Sequence, residues 1–154
     1  MKKFTFTLQP LQKVKKNQEK LGKQKLADAE GMVLAAFTRL NSLKKSFKEQ
    51  SEIYQERLLL GADALSMKQF SEYFVSLQKE TEIAQLELDE AKAFRKKCQE
   101  ELVEIMKELK MLDNLYQAQY GEYLAEVKKE EEKNIGDLVS FRVVATQERG
   151  KSDD

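Results

Sequence analysis

The chain has 154 residues, 41% hydrophobic and 35% charged, with no histidine, no tryptophan, one proline and one cysteine. The length suggests one domain, and a charged share well above the roughly 25% of ordinary domains leaves little apolar surface for a thick core. Histidine-based triads and imidazole metal ligands are excluded, as is an intramolecular disulfide framework, and no run reaches the ~18 apolar residues of a membrane span.

Formal net charge is zero, but residues 1–25 carry eight lysines against Glu19, a net of +7, so the remainder carries −7. The opening MKKFTFTLQPLQKVKK has no apolar stretch of the roughly 7–15 residues a secretory signal needs. The cytoplasm is therefore the expected location. Pro10 suits the first turn of a helix, where a missing N–H costs nothing, with Thr7 as the cap. Phe4, Phe6 and Leu8 then form an apolar lead-in, expected to fold against a later helix near Tyr120 and Tyr123.

The first helix is expected over about residues 8–60. Its apolar steps run Leu11, Val14, Gln18, Leu21, then Lys25 and Ala29, where two successive steps of four make a stutter. Alternation of threes and fours resumes through Val33, Ala36, Leu40, Leu43, Phe47, Gln50 and Tyr54. Gly22 and Gly31 flank the irregular stretch and predict the weakest part of this helix. Gly61 is a stop signal, and a loop at about residues 61–66 follows. Ser66 with Gln69 reads as a capping box, and Leu65 with Phe70 as a hydrophobic staple.

The second helix is expected over about residues 67–133. Phe70, Phe74, Leu77, Thr81, Ala84, Leu88, Ala91, Arg95, Cys98, Leu102, Ile105, Leu109, Leu112, Tyr116, Gln119, Tyr123 and Glu126 alternate steps of four and three without a slip. Thirteen of these seventeen are apolar. That period of 3.5 is the coiled-coil period. A short loop makes antiparallel neighbours, so the fold class is all-α: a long antiparallel two-helix coiled-coil hairpin occupying residues 1–133. Seam partners should sum to 127 or 128, pairing Tyr54 with Phe74, Leu43 with Ala84, Leu40 with Leu88, Ala36 with Ala91, Ala29 with Cys98, and Leu21 with Ile105 or Met106. Asn134 and Gly136 predict a break, and residues 134–154 a frayed or disordered tail.

No catalytic, metal or cofactor motif is present. The chain has no phosphate-loop signature, no GxGxxG and no HExxH, and two helices offer its many carboxylates no walled cleft. The expectation is a protein with no catalytic residues, no metal and no cofactor. Cys98 reads as a buried seam residue, and Arg95, at a seam position, as either a structural residue that snorkels outward or pairs across the seam, or a break in the packing. The lysine face lacks interleaved aromatics, so no nucleic-acid partner is expected. In FSEYFVSLQKE a second track runs Tyr73, Leu77, Glu80, Ala84. By spacing alone it is either a docking surface or a thickening of the core.

The opening KFTFTLQPLQKVKKNQE resembles that of the flagellar export protein FliJ family: a basic residue, Phe-x-Phe-x-Leu, a further apolar position, then a lysine-rich helix. LADAE is similar to the family's small-and-acidic segment, FSEYFVSLQKE to its aromatic motif after the hairpin loop, and KNIGDLVSFR to its charged close. The resemblance implies a soluble, non-catalytic component of the flagellar type III export apparatus, similar to the stalk of rotary ATP synthases. The implied partners are the hexameric export ATPase FliI, the export gate protein FlhA and export chaperones. The implied location is cytoplasmic, peripheral at the inner membrane, with the free protein a monomer. By the same resemblance the gate contact falls on Tyr73, Leu77, Glu80 and Ala84. At Glu80 and Ala84 the sequence departs from members with a small residue and a histidine. The competing expectation is a coiled-coil secretion chaperone or scaffold that binds unfolded client helices.

Overall fold

A computed structural model describes residues 2–152, and in it one glycine sets the topology. The chain forms helix α1, Gln9–Leu60, and helix α2, Ala64–Lys151, packed on each other as a hairpin, with no strand among the described residues. Gly61 between them has φ 83°, a conformation that a side chain strains. Its N–H donates to the Leu58 carbonyl at 3.4 Å and closes the last turn of α1.

Asp63, not Ser66, caps α2. The Ser66 N–H donates to Asp63 Oδ1 at 3.0 Å, and the Met67 N–H to the Asp63 carbonyl at 3.1 Å. A carboxylate at the cap satisfies an orphan donor and complements the helix dipole, so α2 starts three residues before the expected 67. Leu65 consequently lies inside the helix and is 64% exposed, and it forms no staple. At the other terminus the Gln12 N–H donates to the Leu8 carbonyl at 2.9 Å. Leu8 therefore holds the cap position expected of Thr7, and Pro10 lies in the first turn as expected.

The chain divides into a central unit, Asn17–Met106, and a terminal unit, Met1–Lys16 with Lys107–Asp154. In the central unit Leu40, Ala84 and Leu88 form a buried cluster, with Val33, Ala36 and Leu43 against it. Ala29 and Cys98 are also buried, as is Leu102, and Ile105 is half-buried. The Tyr54 and Phe74 rings meet at 5.7 Å, as the expected register requires. Burying each leucine contributes about 1.5–3 kcal/mol. The flanking pairs Arg39–Glu87 at 2.7 Å and Lys25–Glu101 at 3.5 Å are about half exposed, so each adds at most about 1 kcal/mol.

The first part of α1 is phased differently from the sequence expectation. Leu21 is exposed, while Glu19, Gly22 and Leu26 are half-buried. A Cβ on Gly22 would lie 3.1 Å from Leu102 Cδ1, so the leucine fills the space the glycine leaves. Steps of three and four run unbroken from Glu19 through Gly22, Leu26 and Ala29 to Val33, with no stutter. Lys25 lies on the flank instead, with its Nζ 5.8 Å from the Phe94 ring centroid. Phe47 touches Phe74, with ring centroids 5.4 Å apart, but remains 44% exposed at the edge of the seam.

In the terminal unit the lead-in supplies the packing. Phe4 sits 5.5 Å from Tyr116, 5.2 Å from Tyr120 and 5.5 Å from Tyr123, as centroid distances. Phe6 is buried against Tyr116, and the Tyr123 hydroxyl donates to the Lys2 carbonyl at 3.0 Å. Gln12 and Lys15 are half-buried, Lys15 pairs with Glu108, and Leu11 and Val14 are exposed. On α2, Leu109, Leu112, Tyr116, Gln119 and Tyr123 hold the predicted positions, and Val127 follows in place of Glu126. α2 does not break after residue 133 but continues to Lys151. Neither Asn134 nor Gly136 takes positive φ, so each costs only helix propensity. Ile135, Leu138, Val139, Phe141, Val143 and Val144 are all exposed along this stretch.

Candidate docking site

The four residues of the second track do not share an exposed face. Tyr73 is 43% exposed and Glu80 is exposed, whereas Leu77 and Ala84 are buried at 5% and 1%. The helical period explains the split. Leu77 and Ala84 are themselves seam positions, so they turn inward toward α1. Thr81, between them, donates its hydroxyl to the Leu77 carbonyl at 2.7 Å, satisfying a polar group within the seam. Any partner touching this stretch meets Tyr73 and Glu80, with Leu77 and Ala84 holding α2 in place beneath them.

Tyr73 belongs to a larger aromatic group. Phe70 and Phe74 stack at 6.3 Å, Tyr54 lies 5.3 Å from Phe70, and Tyr73 lies 6.2 Å from Phe74. The Arg57 guanidinium sits over the Phe70 ring at 5.2 Å, a cation–π contact. Gln50, Arg57, Ser66, Gln69, Phe70 and Tyr73 line a pocket of about 290 Å³. Arg57, Gln50 and Gln69 carry no sequence motif. Only the hairpin register points to them, since 57 and 70 sum to 127.

A carboxylate marks the neighbouring turn. Hydrogen bonds from Ser66, first from its side chain and then from its backbone, hold the Asp63 carboxyl below its ordinary 3.8. Among the described residues no cluster of cysteine, aspartate and glutamate is arranged to hold a metal ion, and no helix is long and apolar enough to cross a membrane. The surface near Tyr73 therefore offers contact chemistry: an aromatic floor, a guanidinium, two amides and two hydroxyls.

The sequence model described as Flagellar FliJ protein matches residues 4–148. No curated protein and no solved structure matches the chain.

Proposed function

The chain belongs to the flagellar FliJ family, and from that premise we propose how it serves flagellar protein export. It acts as a stalk-like coiled coil that associates with the hexameric export ATPase, promotes its assembly and turnover, and links it to the export gate and to export chaperones. It performs no catalysis itself. It works in the cytoplasm, peripheral to the inner membrane through the export apparatus.

The observation that carries this reading is the family match over nearly the whole chain. The hairpin supports it, because two helices with a narrow seam suit a mechanical role. The lysines of the first helix suit an acidic surface. The gate contact is placed on Tyr73 and Glu80, with Leu77 and Ala84 supporting them from the seam.

The test is co-purification with the ATPase of the same bacterium, with ATP turnover followed as this protein is titrated in. Turnover should rise and saturate. A stable complex with an unfolded client helix and no effect on turnover would replace this reading with that of a secretion chaperone.

A further inference from the structure

We propose that the Arg57–Phe70–Tyr73 pocket is a carboxylate-reading site, and that its occupant is an acidic peptide segment of a partner protein. The inference rests on the gate-docking reading for the identity of the partner, and on the pocket itself for the chemistry.

Arg57 is one of five arginines in a chain whose other basic residues are lysines; farther along the same helix, Arg39 is held across the seam by Glu87. Arg57 has no acid at helical spacing: Ile53, Tyr54, Leu60 and Gly61 occupy the positions three and four residues away. It lies over the face of Phe70. A guanidinium stacked on a ring keeps its N–H edges free for a bidentate pair with a carboxylate.

The surrounding groups converge on the same use. Among the described residues, the Arg57 guanidinium, the Gln50 and Gln69 amides and the Tyr73 hydroxyl make no hydrogen bond or ion pair. All four line one pocket, over an aromatic floor and with no acidic side chain among the lining residues. Each can donate a hydrogen bond. A volume of about 290 Å³ falls just below the roughly 300 to 1,000 Å³ of small-molecule sites, and suits one or two side chains. The complementary occupant is a glutamate or aspartate beside an apolar residue that rests on Tyr73.

A carboxylate can take two parallel hydrogen bonds from the guanidinium, whereas a neutral peptide offers no charge to pair with it.

The experiment measures binding of the soluble domain of the same bacterium's export gate protein to the wild-type chain, R57Q, R57K and Y73A. Arg57 is exposed, so its variants should keep wild-type helicity. R57Q is expected to weaken binding at least tenfold, with R57K in between and the wild-type affinity falling as salt rises. Equal binding by wild type and R57Q, with Y73A weakened, overturns the pocket inference and leaves gate docking intact. If the wild type does not bind the gate domain, gate docking fails and a second arm decides the pocket. In that arm the isotopically labelled chain is titrated with the peptides Ac-EEFEE-NH2 and Ac-QQFQQ-NH2. Shifts at the Arg57 side chain, Gln69 and Tyr73 with the acidic peptide alone support the site. No shifts, or the same shifts with both peptides, overturn it.

Discussion

The central and terminal units bury apolar surface by different means. In the central unit the buried residues of both helices are small or aliphatic: Ala29, Leu40, Leu77, Ala84, Leu88, Cys98 and Leu102. Small residues let two backbones approach, and at Gly22 the room that the glycine leaves is filled by Leu102. The central unit confines its rings to the end near the loop, where Tyr54 packs on Phe70 and Phe74; in the terminal unit rings pack beside the buried Leu112. Two phenylalanines from outside any helix fold onto a tyrosine ladder on α2, where Tyr116 and Tyr120 stack at 6.0 Å and Tyr120 and Tyr123 at 6.3 Å. A seam made by two helices is cooperative along its length, whereas a lead-in of a few residues can detach with only its own docking energy lost.

Leu88→Ala removes a side chain from the buried cluster and should lower global stability by about 2–4 kcal/mol in urea unfolding. Phe6→Ala should cost about 3 kcal/mol, confined to the terminal unit. Hydrogen exchange should quicken near Tyr116 and Tyr123 and stay unchanged around Leu40 and Leu88. Loss of protection throughout would show that the lead-in supports the whole hairpin.

Two glycines of the central unit differ in the space around them. Gly31 has open space where a Cβ would go, so Gly31→Ala should raise stability by about 0.5–1 kcal/mol. Gly22→Ala should gain less, because Leu102 must give way at 3.1 Å. Equal gains in thermal melts would mean that Leu102 yields freely. The smallest effect is at Asp63. Its folded pKa lies below 3.8, so the ionised cap stabilises α2 above that pH and is lost as pH falls through the folded value. The Ser66 amide shift should titrate with a midpoint below 3.8. A midpoint at or above it would sink the cap assignment.

The second helix was legible because its inward positions carry apolar residues at nearly every step. From Phe70 to Tyr123 the period alone places the seam. The start of α1 was not legible, because apolarity and phase disagree there. Leu11, Val14 and Leu21 are the apolar residues, yet Gln12, Lys15, Glu19 and Gly22 face inward. Phase is fixed downstream by Ala29, Val33 and Ala36, and a continuous helix carries it back regardless of local hydrophobicity. The second track from Tyr73 to Ala84 divides for the same reason. Its spacing of four, three and four is the seam's own spacing, so Leu77 and Ala84 serve the seam and only Tyr73 and Glu80 stay outside. The pocket beside Tyr73 joins residues from both helices, and its polar members leave no trace in hydrophobic periodicity.

Cys98 gives the central unit a built-in clock. It is the chain's one thiol, it is buried at 2% exposure, and it sits where α1 presents Ala29. A thiol reagent can reach it only in molecules whose helices have momentarily parted. Its labelling rate, divided by that of an unfolded control, therefore counts the open fraction directly. Followed with and without a bound partner, that ratio would show whether assembly clamps the hairpin shut or pries it apart.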